Sequence, residues 1–335
     1  MKINRMGRTG LKVSEICLGT MTFGNQADES TSFAIMDVAA DAGVNFFDTA
    51  DAYPLGSTLE VKGRTEEIVG KWLKGKRDDF ILATKVHGVM GPRPNDKGLS
   101  RRHIMQACEA SLRRLQTDTI DLYQCHATDP ETPLEETLRA LDDLVHQGKV
   151  RYIGASNFPA WELCKGLWLS DKLGLARFDC VQPRYNILFR MIEDELLPLC
   201  RDQGVGVIAY NPLAGGFLTG RYEQGQAPEP GSRFTLGAGA GNLYQARYWQ
   251  EAQFQAVDEM KAFFSARNRS LTHVAIAWVL AQPGITSAIV GASRPEQLVD
   301  SLQAVGQTLD EEEMALANSM WYRLPRSDNP AVTRR

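Results

Sequence analysis

The sequence predicts an α/β protein in which eight parallel strands alternate with helices and close into a (β/α)8 TIM barrel. Three observations predict it. Short, apolar, β-branched runs recur eight times, each near a Gly, Asn or Asp turn signal, as buried parallel strands do. Amphipathic stretches with helix punctuation lie between them. Polar and titratable residues stand at the ends of the runs, where a barrel carries its chemistry. The rival is an open doubly wound sheet, which would carry an early Gly-rich dinucleotide turn. No G-x-G-x-x-G follows the first run.

The strands are expected at residues 16–18, 45–47, 81–86, 120–124, 150–154, 180–182, 206–210 and 287–290, after a short N-terminal β-hairpin. The first helix, at 32–42, carries Ile35, Val38, Ala39 and Ala42 on one face. The next, at 65–73, buries Ile68, Val69 and Trp72. A helix at 100–115 starts on a Ser100 cap. One at 133–147 has Pro133 near its start, Glu135 and Glu136 in its first turn, and Gly148 after its end. Further helices fit 161–169, 192–203, 251–266, 272–282 and 295–304. Strand, helix and strand in this order imply right-handed crossovers. The segment 212–249, after the seventh strand, is too long for a turn and holds Phe217, Phe234, Tyr244 and Tyr248, so it reads as a lid that folds over a ligand. The whole chain, 1–335, reads as one barrel domain whose C-terminal segment, 306–335, covers the barrel or makes an interface.

With 335 residues, the chain buries a core without staples. Its 37 basic and 41 acidic side chains leave a net charge of −4, against a nucleic-acid surface but compatible with a local phosphate pocket. The six cysteines form no C-x-x-C pair and read as buried thiols of a reducing compartment. The first residues lack the apolar stretch of a signal peptide, and no apolar run approaches membrane-spanning length. These features lead to the expectation of a cytoplasmic protein that takes a small molecule, not a nucleic acid or a membrane, as partner.

The strand ends carry Asp48, Lys85, His126, Ser156, Asn157, Gln182, Tyr210 and Gly291, and Tyr53 follows soon after Asp48. Singly, Asp48 could be a turn former, Tyr53 a packing aromatic and His126 a structural histidine. His87, His103, His146 and His273 read as structural. Lys85 is different, because an ammonium inside ILATKV is costly unless paired. Asp48 can pair it. A phenol with an intrinsic pKa near 10 is a poor acid at neutral pH, and an adjacent ammonium should lower it. A neutral His126 can hold the substrate oxygen. Together these groups suit protonation of a carbonyl oxygen as charge develops on it. No metal-ligand spacing and no G-x-S-x-G elbow is present.

The segments GRTGLKVSEICLGTMTFG at 7–24, NFFDTADAY at 45–53, ILATKV at 81–86, DLYQCH at 121–126, GKVRYIGASNF at 148–158, YNPLAGGFLTGRY at 210–222 and GASRPEQL at 291–298 occur in this order. In these the chain resembles the aldo-keto reductases over nearly its whole length. The resemblance implies an NADPH-dependent carbonyl reductase with a tetrad of Asp48, Tyr53, Lys85 and His126 and with Tyr53 as proton donor. It implies that Tyr210 stacks on the nicotinamide, that Ser156, Asn157 and Gln182 hold the carboxamide, and that Gly19, Thr20 and Met21 lie under its ribose. Asn211, Leu213, Gly215, Arg221 and Arg233 would meet the cofactor from the lid, and Gln297 and Asp300 would reach the adenine. Gly291 and Ser293 can offer backbone donors to phosphate at a helix start, and Arg294 can grip a 2′-phosphate, which favours NADPH over NADH. The chain departs from the pattern at Asn211, where relatives often have Ser, and at Asp300–Ser301, where they often have Glu-Asn. An insertion over 54–65 resembles a bacterial oxidoreductase subgroup and sits beside Tyr53. Met21 is the first candidate for substrate contact, followed by Trp161 and His87. Two other readings stay open: a nicotinamide-binding regulatory subunit with slow or no turnover, and a barrel isomerase or aldolase using Lys85 as a Schiff-base nucleophile.

Overall fold

All eight expected strands are present and hydrogen-bonded into a closed parallel barrel. In the computed structural model, which describes residues 1–326, a small antiparallel hairpin comes first, β1 (Ile3–Arg5) and β2 (Lys12–Ser14). The barrel strands are β3 (Ile16–Gly19), β4 (Phe46–Asp48), β5 (Ile81–Val86), β6 (Ile120–Cys125), β7 (Val150–Ser156), β8 (Phe178–Gln182), β9 (Gly206–Tyr210) and β10 (Ser287–Gly291). Their order around the barrel follows the sequence, and β10 pairs with β3 to close it. Alternation sends Cys17, Phe46, Ala83, Leu122, Cys180 and Ile208 into the interior, where they form a core with Met6 and Val13 from the hairpin side. Gly7 anchors that hairpin under the barrel: at φ +53, an added Cβ would stand 2.4 Å from the carbonyl oxygen of Gly204.

The helices are α1 (Glu29–Asp41), α2 (Arg64–Leu73), α3 (Arg101–Leu115), α4 (Leu134–His146), α5 (Ala160–Leu173), α6 (Leu196–Gln203), α7 (Ala240–Tyr248), α8 (Glu251–Ser265), α9 (Leu271–Ala281), α10 (Pro295–Leu302) and α11 (Glu311–Arg323). Most of them bury apolar faces on the outer side of the strands, while α7 packs within segment 212–249 and α11 against α8, in one continuous core. Ser100 caps α3 through the backbone N–H of His103, as its sequence predicts.

The structure corrects several boundaries. α1 begins three residues before the expected start because Asp28 caps it through the Thr31 N–H. The helix expected over 192–203 is split: Met191–Glu193 is a 3-10 turn and α6 starts at Leu196. This start keeps Pro198, which has no N–H to donate, within the first turn. Two helices were not expected at all. α7 lies inside 212–249, and α11 lies inside the C-terminal segment 306–335, whose residues 327–335 are outside the described residues. Five cysteines are buried as expected, but Cys164 is exposed on α5.

Segment 212–249 is held by its own aromatic residues. Phe217, Phe234, Tyr244 and Tyr248 are buried, and Phe234 packs against Tyr222 and Trp249 at centroid distances of 5.1 and 4.8 Å. The segment crosses to the far side of the barrel mouth. There the Gly231 carbonyl accepts from Gln26 Nε2 at 2.5 Å, Arg233 Nη1 meets the Met21 sulfur at 2.8 Å, and Gly237 abuts the Gly56 carbonyl of the 54–65 insertion. Among the described residues, no helix is long and apolar enough to cross a membrane.

Candidate active site

Asp48 ends β4 pointing into the barrel, and the chain beyond it stays attached to β5. Thr49 N–H donates to the Ala83 carbonyl at 2.9 Å, and Asp51 N–H to the Lys85 carbonyl at 3.2 Å. This carries Tyr53 over Lys85, whose Nζ lies 5.0 Å from the centre of the phenol ring. Lys85 is wholly buried. Its ammonium donates to Asp48 Oδ2 and, at 2.8 Å, to the Thr49 carbonyl, and it is hydrogen-bonded to Tyr53. Burial works against the ammonium, but Asp48 and Tyr53 raise its pKa above the ordinary lysine value.

The other oxygen of Asp48 accepts from Gln124 Nε2 at 3.1 Å and Gln182 Nε2 at 2.8 Å. Asp48 is therefore a fully engaged buried carboxylate, not a turn former. Gln124 was missed in the sequence. The signal was available: in DLYQCH it has the same inward parity as Leu122.

His126 follows β6, with its ring edge-on to Tyr53 at a centroid distance of 5.7 Å. Burial and then the Lys85 charge push its pKa well below the ordinary value, so the imidazole is neutral at pH 7. The Tyr53 phenol departs from expectation. Lys85 does lower its pKa, but burial outweighs that and leaves the phenol above its ordinary value.

The strand ends around this group form a connected polar rim. Ser156 Oγ donates to the Gln182 carbonyl at 2.9 Å. Asn157 Nδ2 donates to the His126 carbonyl at 2.9 Å and to Ser156 Oγ at 3.1 Å, and its Oδ1 accepts from the Tyr210 hydroxyl at 2.9 Å. Thr20 is tied to the Asp48 carbonyl through both N–H and Oγ1, at 3.0 and 2.9 Å. Across the β3–β10 pair Gly19 and Gly291 add no side chain of their own: a Cβ on Gly19 would stand 2.6 Å from an Ile289 methyl, and one on Gly291 3.0 Å from the Gly19 carbonyl oxygen.

Asn211 begins the long segment at φ 67, a left-handed conformation that Asn tolerates better than Ser. Its Oδ1 accepts from Gly215 N–H at 2.5 Å and its Nδ2 donates to the Tyr248 hydroxyl at 2.9 Å, so the side chain shapes the turn from within. Leu213 and Gly215 are half-buried beside it, and Arg221 is exposed against the Tyr222 ring at 4.6 Å.

At the start of α10, Arg294 is exposed at the N-cap and makes no capping bond. Ser293 N–H and Oγ both donate to Gln297 Oε1, at 2.9 and 3.1 Å. The expected free backbone donor at Ser293 is thus held internally by Gln297. Asp300 faces away to α9, where it pairs with His273 Nε2 at 2.9 Å. Met21 is half-buried under Arg233, His87 is half-buried at φ 143, and Trp161 is 64% exposed in the first turn of α5. Among the described residues, no group of three or more His, Cys, Asp or Glu side chains is placed to hold a metal ion.

The residues present fit a nicotinamide cofactor. Gln182 has its amide nitrogen committed to Asp48, which leaves Oε1 as the group to receive an amide donor, and Gly19 and Gly291, which add no side chain, give backbone access.

Comparison with known sequences gives a consistent result. A sequence model described as the Aldo/keto reductase family matches residues 15–321. The chain is 42% identical over 328 residues, 96% of each chain, to the "Uncharacterized oxidoreductase YrpG" of Bacillus subtilis. It is 37% identical over 310 residues, 91% of each chain, to a "Probable voltage-gated potassium channel subunit beta" of Arabidopsis thaliana. It is 36% identical to "Protein tas" of Escherichia coli, over 94% of this chain and 96% of the relative.

Proposed function

The chain belongs to the aldo/keto reductase family, and from that premise we propose that it reduces an aldehyde or ketone to an alcohol, reversibly, with NADPH. The observation that carries the proposal is the Lys85 ammonium held between the Asp48 carboxylate and the Tyr53 phenol, with a neutral His126 alongside.

In this reading NADPH, when bound, supplies the hydride. Tyr53 donates the proton to the carbonyl oxygen. Its raised pKa keeps the phenol protonated and ready to donate, while Lys85 stabilises the phenolate left behind. Asp48 keeps Lys85 charged, and Gln124 and Gln182 keep Asp48 in place. Neutral His126 orients the substrate oxygen by a hydrogen bond. Tyr210 would stack on the nicotinamide, with Ser156, Asn157 and Gln182 at its carboxamide and Gly19, Thr20 and Met21 at its ribose. Asn211, Leu213, Gly215, Arg221 and Arg233 would border the pyrophosphate, with 212–249 acting as a lid. Arg294 would grip the 2′-phosphate, Gly291 and Ser293 would offer backbone donors to phosphate, and Gln297 and Asp300 would reach the adenine end; for this Gln297 would have to release the Ser293 N–H. Asp300 would have to leave His273 to take that place. We place the enzyme in the cytoplasm as one domain, 1–335.

A second reading, a regulatory nicotinamide-binding subunit with slow turnover, draws on the likeness to the plant potassium-channel β subunit. A Schiff-base role for Lys85 is disfavoured, because it needs an unprotonated amine and Asp48 holds the proton on.

Fluorescence titration with NADPH and NADH, followed by NADPH oxidation with a panel of small aldehydes, tests the proposal. Preferred NADPH binding with turnover supports the reductase. Tight NADPH binding without turnover favours the regulatory reading. Binding of neither cofactor contradicts both.

A further inference from the structure

Behind Tyr53, on the outer wall of the barrel, lies a buried polar cluster that the proposed reaction does not use. Asp48, Lys85 and Gln124 point inward, so the neighbouring Thr84 and Tyr123, paired across β5 and β6, point outward, as does Thr49 just past the end of β4. α2 and α3 close over them. Glu66 Oε1 accepts from Thr84 Oγ1 at 2.5 Å, and Glu66 Oε2 accepts from Arg114 Nε at 2.7 Å.

Asp51 sits beside them with none of its surface exposed. Among the described residues, no side chain donates to either of its carboxyl oxygens, which have only the Ala52 amide beside them, and the hydroxyls of Thr49 and Tyr123 have no hydrogen-bond partner. Gly88 walls it in: a Cβ there would meet the Ala52 Cβ at 2.4 Å and Asp51 Oδ1 at 3.4 Å. Burial and the nearby Glu66 raise the Asp51 pKa to about 8, with Arg114, the Ala52 amide and Lys62 only partly opposing. Glu66 from α2, Arg114 from α3, Lys62 from the loop before α2 and Tyr123 from β6 are the titratable groups facing it. Arg114 already serves Glu66 and Lys62 donates to the Val89 carbonyl, so an ionised Asp51 would be a second anion with no hydrogen-bonded cation of its own.

Asp51 also has a mechanical place. Its N–H is bonded to the Lys85 carbonyl, and Tyr53 follows two residues later. We propose that Asp51 is a positioning residue for Tyr53: a neutral side chain stays in this closed pocket and leaves segment 49–53 bonded to the barrel wall through the Asp51 N–H, whereas loss of its proton draws Tyr53 away from Lys85. This inference rests on Tyr53 being the proton donor.

The test is the pH profile of kcat/KM for reduction of 4-nitrobenzaldehyde by NADPH, in wild type, Asp51→Asn and Tyr53→Phe. Asn keeps the shape of a neutral carboxyl and cannot ionise. Wild type is expected to lose activity as pH rises through about 8, while Asp51→Asn matches it at neutral pH and holds its activity to higher pH. Coincident alkaline limbs in the two proteins overturn the inference, as does a wild-type profile that stays flat through that range. Unchanged turnover by Tyr53→Phe overturns the acid assignment and this inference with it. An infrared pH titration of the wild type covers the case in which Asp51→Asn does not fold. A protonated-carboxyl band that disappears in step with kcat/KM supports the role, and one that disappears with no change in kcat/KM refutes it.

Discussion

Gln182 and Asp48, 134 residues apart in the chain, meet across the barrel through a hydrogen bond of 2.8 Å from Nε2 to Oδ1. That contact explains how a carboxylate survives in the interior. One oxygen takes two amide donors and the other takes the Lys85 ammonium, so neither is left without a donor. It also joins a proposed cofactor-holding residue to the proposed acid machinery, so a change at either side is felt by the other.

Removing the ammonium tests how far this group acts as a unit. Lys85→Met should abolish turnover and cost about 3–5 kcal/mol of stability, because Asp48 is left buried without its counter-charge. Adding Asp48→Asn should restore part of the stability and none of the activity. Urea denaturation reads this, and a Lys85→Met loss below about 1 kcal/mol would show that the pair is more solvated than its burial implies.

His126 gives a pH dependence of stability. Its folded pKa is depressed well below the ordinary value, so below about pH 6.5 the unfolded chain binds a proton that the folded protein refuses. The stability it confers is present above about pH 6.5 and is lost as pH falls, by up to about 1.4 kcal/mol per pH unit. His126→Gln should flatten the fall in unfolding free energy between about pH 7 and about pH 5. Parallel curves for the two proteins would mean that His126 protonates freely in the folded state.

Arg294, the residue proposed to grip the 2′-phosphate, is exposed at the start of α10 and makes no capping bond. Arg294→Ala should weaken NADPH binding by about tenfold or more, the loss of a charge-assisted contact of roughly 1.5–3 kcal/mol, and leave NADH binding unchanged. Equal weakening of both cofactors in the same titration would move Arg294 from the 2′-phosphate to the shared part of the molecule.

The barrel was legible because its strands are short, apolar and spaced by turn residues, and because inward and outward positions alternate. The Asp48–Lys85 pair was legible because Lys85 in ILATKV has no comfortable place except against a carboxylate. What stayed hidden depends on contacts distant in sequence. α7, AGNLYQARY, directly follows the Gly-containing run LGAG and has a pattern that is not amphipathic, and it is held by packing with Phe234 and the neighbouring aromatics. Gln124 looked like one polar residue in a strand until Asp48 was placed opposite it. The Tyr53 pKa turned on how dry the site is, since Lys85 alone would lower it. Ser293 was read as a phosphate donor because nothing in GASRPEQL says that Gln297 folds back onto its N–H.

Tyr53 is the proposed acid that protonates the carbonyl oxygen. The most direct measurement is NADPH oxidation with a reactive aldehyde by wild type and Tyr53→Phe, beside an NADPH titration of both proteins. The phenylalanine fills the same space and removes only the hydroxyl. NADPH binding should be retained while turnover falls by about 10²–10⁴-fold. Turnover close to wild type, with NADPH still bound, would contradict the acid assignment and leave the buried Asp48–Lys85 pair without its proposed role.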